Sequence, residues 1–229
     1  MIIGNGLIAK AFSEFKKDSE VLIFASGVSN SSLNSAKDFE RELSLLKENI
    51  SEDKLLVYFS TVSVFDKSLS SLPYILHKKK IENFVAENCK SYCIIRLPNV
   101  VGKTSNNHTL TNHIYNKISK GETVKIHKNA SRYLMDIDDV SQMVSKIISA
   151  NLFRNKTVNV CFSNLISMPK LMRIFSDVLK TEIKTIELER GNTYDVENGD
   201  FRAFLKNHNF TISEDYNRSL IKKYYGKHP

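Results

Sequence analysis

In the N-terminal half of the chain, short apolar runs alternate with stretches whose apolar positions recur at helical spacing. Ile2 and Ile3 end a short strand. From Leu7 to about Lys16, Leu7, Ile8, Ala11, Phe12 and Phe15 fall on one face of a helix. The run "EVLIFAS" reads as a buried strand, and "FERELSLLKENI" as a helix with Phe39, Leu43 and Leu46 on one side. "KLLVYFSTVSVF" is a core strand entering a polar loop, followed by a helix within "SSLPYILHKKKIENF" and a further strand in "YCIIRLPNVVG". Strands alternating with helices at these lengths predict an α/β fold: a mostly parallel sheet covered on both faces. Right-handed crossovers would bring the carboxyl ends of the strands to one edge.

The second half is less regular. "LTNHIYNKISKG" predicts a helix ending at Gly121, and a helix begins near Asp138 or Asp139 after a short strand and a loop. "KTVNVCFS" reads as a strand. "SMPKLMRIFSDVLK" reads as a helix capped by Ser167, with Pro169 in its first turn. The remainder predicts a small helical lobe. We therefore divide the chain into residues 1–150, carrying the first strands and their ligand edge, and 151–229, completing the sheet and forming the lobe.

Composition narrows the class. At 229 residues, 41% hydrophobic and 25% charged, the chain is long enough for a substantial core and ordinary for a globular protein. No apolar stretch approaches the length of a membrane helix, and "MIIGNGLIAKAF" lacks the basic start of a signal peptide. Three cysteines form neither an even disulfide set nor a metal spacing; Cys93 and Cys161 sit in apolar runs and are expected to be buried. A cytoplasmic setting follows as an expectation. The net charge of +8 invites a nucleic-acid reading, but the lysines are dispersed and no binding motif accompanies them, so no nucleic-acid or membrane partner is expected.

Candidate chemistry collects at the predicted strand ends: "GNG", "ASGVSNS", "STVS" and "RLPNVVG". In "GNGLIA", Gly4 permits a tight turn, Gly6 a close approach by a diphosphate, and Ala9 close packing of helix on strand. The acidic residue that normally meets the adenosine ribose at the end of the next strand is missing from "EVLIFAS". Tyr74 precedes Lys78 by one helical turn, a spacing that can set a cation beside a phenol whose ordinary pKa is about 10. The same spacing is also common on surface helices.

Taken together and in order, these segments resemble the extended short-chain dehydrogenase/reductase superfamily, in its sugar-nucleotide epimerase, dehydratase and reductase branch. The resemblance implies a shortened Rossmann-like sheet with a small C-terminal substrate lobe and NAD or NADP as cofactor. It places Gly4, Asn5, Gly6, Leu7, Ile8, Ala25, Ser26, Gly27, Ser60, Lys78, Pro98, Asn99 and Val100 at that cofactor. Thr61, Tyr74 and Lys78 match the catalytic trio, with Thr61 and Tyr74 also touching substrate, and Glu82 matches an acidic residue one turn later. Arg96 is implied to be structural, and Asp138 or Asp139 to cap a helix. Lys103, Asn107, Asn112, Lys125 and Arg132 lie in segments suited to a substrate diphosphate; Asn107 and Arg132 are preferred, and no metal site is assigned. Val62 stands where dehydratases carry an acid, which disfavours 4,6-dehydration. The implied activity is reduction of a keto group on a nucleotide-activated sugar. The alternatives are a 4-epimerase and a weakly active or inactive scaffold with a degenerate cofactor site. Two strands and a helix usual in the family are missing after the first helix, and a homodimer through the helices beside Tyr74 is implied by resemblance alone.

Overall fold

The computed structural model describes residues 1–29 and 35–226, so Asn30 and Ser31 of the polar "ASGVSNS" segment lie outside it. The elements run β1 (Ile2–Ile3), α1 (Leu7–Ala11), β2 (Val21–Phe24), α2 (Ala36–Asn49), β3 (Leu55–Thr61), α3 (Pro73–Asn88), β4 (Tyr92–Leu97) and β5 (Asn99–Val101). There follow α4 (Leu110–Ser119), β6 (Val124–His127), β7 (Ser131–Arg132), β8 (Leu134–Asp136), α5 (Ile137–Ser149), β9 (Lys156–Asn159), β10 (Ile166–Ser167) and α6 (Met168–Leu179). The chain continues through β11 (Thr185–Leu188), α7 (Gly199–Asn207) and α8 (Tyr216–Tyr225).

The predicted first helix is shorter than its periodicity suggests. It stops at Ala11, and Ser13–Lys17 tightens into a 3-10 turn. Residues three apart eclipse in such a turn, which keeps Phe12 and Phe15 together in the core with ring centroids 6.4 Å apart.

The main sheet has the order β1-β2-β3-β4-β9, and every pair in it is parallel. Alternation along the strands divides its side chains. Leu22, Phe24, Leu56, Tyr58 and Ile94 meet Leu46, Ile81 and Val85 of α2 and α3. Ile23, Val57, Phe59, Cys93 and Ile95 meet α1 and α5 on the other face. Thus α1 and α2 lie on opposite faces although both links advance across the sheet in the same direction, and the two crossovers have opposite hands. Right-handed links dominate in parallel sheets, so the mixed hands here are a correction to the uniform right-handed rule: the link from β4 to β9 returns through α5 on the α1 face and shares the hand of β1–α1–β2. For β1–α1–β2 the reason lies in what is missing: a doubly wound sheet changes helix faces at its first strand. Among the described residues no strand pairs with the outer side of β1, and the chain steps directly to β2 while α1 keeps its face.

Beyond the sheet, β5 pairs with β8, β6 with β11 and β7 with β10. A second core of Val124, Ile126, Leu171, Phe175, Leu220 and Ile221 unites these pieces with α4, α6 and α8. Ser167 caps α6 by accepting from the Lys170 amide, as its sequence predicts. The cap of α5 is Asp136, whose Oδ1 accepts from the Asp138 amide at 3.0 Å, not Asp138 or Asp139. Both neighbours lie inside the helix; Asp138 joins Asp136 around Lys223, and Asp139 accepts from Tyr216. Cys93 and Cys161 are buried, and burial pushes both thiols up, Cys93 to about 12.

Gly4 is the one position in the first turn that demands glycine. Its φ is +126°, and a Cβ there would lie 2.5 Å from the Ala25 carbonyl oxygen. Gly4→Ala is therefore expected to cost about 1–3 kcal/mol, read as a lowered urea midpoint.

Candidate functional site

Because the main strands are parallel, their carboxyl ends share one edge. That edge gathers the turn Gly4–Gly6, the segment Ala25–Gly27, Ser60 with Thr61, and the start of β5. Gly102 closes this region against α1 and α5: a Cβ on it would lie 2.9 Å from Leu7 Cδ1 and 2.7 Å from Ile137 Cγ2. Gly6, by contrast, faces open space, with nothing within 4 Å of a Cβ built on it.

Thr61 ends β3 and caps the following 3-10 turn, its Oγ1 accepting from the Ser63 amide at 3.1 Å. Tyr74 comes from the first turn of α3, where Pro73 starts the helix and so fixes the entry of the chain. The phenol is buried and interacts with the Thr61 side chain. Burial and the charge of Glu42 hold it well above the ordinary tyrosine range, and the Thr61 contact offsets them only in part.

Lys78 lies one turn further, 3% exposed, whereas Lys79 and Lys80 are exposed, so the basic run divides as its helical phase requires. The Lys78 ammonium does not stand free beside the phenol. It donates to Glu42 Oε1 at 3.0 Å and to Tyr58 Oη at 3.1 Å. Glu42, on α2 and fully buried, also accepts from Tyr58 Oη at 2.7 Å and the Val28 amide at 2.7 Å, and its Oε2 lies 2.9 Å from His77 Nε2. Burial alone would raise the Glu42 carboxyl; Lys78, His77, Val28 and Tyr58 outweigh it and bring the carboxyl down to about 2.

A second buried carboxylate supports the same edge. Glu82 accepts from Ser60 Oγ and is paired in a fork with Arg96, Nε at 2.9 Å and Nη2 at 2.5 Å. Arg96 thus ties β4 to α3. Asn99 bonds to the Tyr133 carbonyl through both its amide and its side chain, and Pro98 and Val100 flank it half-buried.

The preferred diphosphate residues lie apart from one another in kind. Arg132 is half-buried, donates to the Ser131 carbonyl and sits 3.9 Å from Asp66. Asn107 is exposed and accepts from Asn116. Asn112 is used internally, donating to the carbonyls of Thr104 and Asn106 and accepting from Tyr225. Lys103 and Lys125 are exposed. Val62 is buried with Tyr133, Cys161 and Tyr194, an apolar surrounding for that position. Among the described residues no group of three or more His, Cys, Asp or Glu side chains is placed to hold a metal ion, and no helix is long and apolar enough to cross a membrane.

Sequence reasoning missed Glu42, Tyr58 and Arg41. Arg41 grips Ser26, donating to its Oγ at 3.2 Å and its carbonyl at 3.1 Å. A signal for Glu42 was present: it lies three residues after Phe39 and four before Leu46, on the apolar side of the helix.

A parallel sheet with a glycine turn at its first strand and polar groups along one edge has the architecture of a Rossmann-like α/β protein, a class whose ligands lie at the carboxyl ends of the strands. The model of the NAD dependent epimerase/dehydratase family matches residues 5–161, and the chain belongs to that family. Comparison with the curated proteins gives no match. Among solved structures, Pal from Bacillus thuringiensis is similar over 97% of this chain and 82% of its own, with 19% identity and a TM-score of 0.71. UDP-N-acetylglucosamine 4-epimerase from Methanobrevibacter ruminantium is similar over 98% and 81%, with 17% identity and a TM-score of 0.68. UDP-glucose 4-epimerase from Thermus thermophilus, a complex with NAD, is similar over 96% and 83%, with 11% identity and a TM-score of 0.69. At these identities the likeness is one of fold.

Proposed function

We propose that this chain catalyses 4-epimerisation of a nucleotide-activated sugar, with Tyr74 as its acid/base. The observation that carries the reading is the buried Tyr74 phenol beside Thr61, at the same strand edge as the Gly4–Gly6 turn. Family membership supports the reaction class, and 4-epimerases recur among the similar folds, which favours epimerisation over the reduction expected first.

The residues present fit the diphosphate portion of a dinucleotide. Open space at Gly6 admits a diphosphate, and Ala25 and Ser26 pack on the adjoining Gly4. When bound, the nicotinamide supplies the hydride acceptor and donor. In this reading the chain's own residues manage the oxygen and its proton: Thr61 orients the C4 hydroxyl, and Tyr74 takes and returns the proton. Arg132 and Asn107 serve the substrate diphosphate. Buried Val62 offers no acid for dehydration.

A second reading, reduction of a keto-sugar by an exchanging cofactor, draws on the open outer side of β1. Among the described residues no further strand supplies an adenosine-reading acid, and a looser cofactor suits a co-substrate better than a resident group. Two incubations separate the readings, one with a UDP-hexose and NAD, the other with a 4-keto-sugar nucleotide and NAD(P)H. Epimerisation gives the C4 epimer by NMR with no net cofactor consumption; reduction consumes NAD(P)H against a 4-keto-sugar. Gly6→Ala is expected to melt like the wild type, its backbone at φ −77° being open to alanine, while dinucleotide binding falls at least about tenfold through lost close approach. Folded wild-type protein that binds neither NAD(H) nor NADP(H) would overturn the enzyme reading.

A further inference from the structure

Glu42 is the most heavily bonded buried charge near Tyr74, and its partners come from three parts of the chain. The Val28 amide belongs to the segment after β2, Tyr58 to β3, and His77 with Lys78 to α3. Gly27 lies directly on the ion pair: a Cβ there would stand 2.7 Å from Lys78 Nζ and 3.0 Å from Glu42 Oε1. Its neighbour Arg41 holds Ser26 of the same segment from outside. One helix therefore fixes both the border of the expected cofactor position and the cation that follows Tyr74 on α3.

A carboxylate 3.0 Å from an ammonium cancels most of its field at a third group. The charged and titratable groups that act on Tyr74 are Glu42 from α2 and Tyr58 from β3; Lys78 follows one turn on along α3, and the wider network at this edge adds His77 and Glu82 from α3 and Arg96 from β4. Glu82 is paired with Arg96, just as Glu42 is paired with Lys78. No unpaired cation is left among them to favour a phenolate.

We propose that Glu42 is a positioning residue of the Tyr74 site: it cancels the Lys78 charge and clamps the Gly27 segment over the pair, so that Tyr74 is held as a neutral phenol in the ligand-free protein. The inference rests on the reading of Tyr74 as the acid/base. Consistent with it, Glu42 is among the groups that hold the Tyr74 phenol above its ordinary range.

The test is an NMR titration of the ligand-free chain carrying 13Cζ-labelled tyrosine, with the Tyr74 signal assigned by its loss in Tyr74→Phe. In the wild type the Tyr74 midpoint should lie above the ordinary value of about 10, or the phenol should stay protonated up to alkaline unfolding. Glu42→Gln keeps the shape and removes the charge; it should lower the midpoint by about one pH unit or more. Glu42→Asp, which keeps the charge, should follow the wild type. A folded Glu42→Gln protein with an unchanged Tyr74 midpoint overturns the proposal, as does a Glu42→Asp protein that shifts like Glu42→Gln. If Glu42→Gln does not fold, the wild-type titration decides: a midpoint at or below the ordinary value overturns the proposal. The experiment needs no turnover. A protein with the shift but no activity removes the enzyme reading and leaves the Glu42 effect standing, whereas activity without the shift does the reverse.

Discussion

Tyr74→Phe is expected to leave a folded protein with unchanged dinucleotide affinity and turnover lowered by about 10²–10⁴-fold, the usual contribution of a positioned proton-transfer group. The substitution removes one oxygen and keeps the ring that packs with Val28 and Ile75. The phenol lies beside the Thr61 side chain, so the stability cost is at most that of a single hydrogen bond, about 0.5–1.5 kcal/mol. Loss of activity with a near-native melting temperature thus isolates chemistry from folding. The pH profile adds a second check. Burial and Glu42 hold the phenol above the ordinary range, so steps that need it protonated persist through neutral pH, and the limb that needs its base form lies on the alkaline side. Equal turnover by Tyr74→Phe and the wild type would defeat the assignment.

The parts legible in the sequence were those set by local pattern. Alternation between apolar runs and helical periodicity located β2, β3, β4 and α2, α3, and the Ser167–Pro169 start of α6 followed from capping chemistry. Helical phase alone separated buried Lys78 from exposed Lys79 and Lys80. Long-range partnership was not legible. Glu42 draws its donors from Val28, Tyr58, His77 and Lys78, up to 36 positions away, and no local signal specifies such a set. A carboxylate inside an apolar stripe announced only that a buried partner must exist. The hand of the first crossover was hidden for a similar reason. Sequence shows that strands are missing after α1, but the face taken by α1 is decided by packing of Phe12 and Phe15 with Phe59 and α5. Asp136, the actual cap, is alike by type to the expected Asp138 and Asp139; contacts from Tyr224, Lys223 and Tyr216 distinguish them.

Glu42→Ala should be the most destabilising single substitution near the site, costing about 3–5 kcal/mol at neutral pH, because it strands the buried Lys78 ammonium and removes the acceptor of three other groups. Against a total stability of roughly 5–15 kcal/mol for a domain, that is a large fraction. The pH dependence has a definite sign. Burial pushes the Glu42 carboxyl up, but Lys78 and the hydrogen bonds from His77, Val28 and Tyr58 bring it from 4.5 down to about 2. A carboxyl depressed on folding stabilises the protein fully above its unfolded value, and this contribution is lost as pH falls from about 4.5 through about 2. The depression corresponds to roughly 3 kcal/mol. Urea denaturation of the wild type and Glu42→Ala at pH 7 should therefore show the full gap, and at pH 3 a narrower one, since acid removes from the wild type what the substitution has already taken. The void left by the side chain persists at both pH values, so the curves approach without meeting. A gap under about 1 kcal/mol at pH 7, the range of an exposed ion pair, or one that stays constant down to pH 3, would show that the Glu42–Lys78 pair does not hold β3, α2 and α3 together.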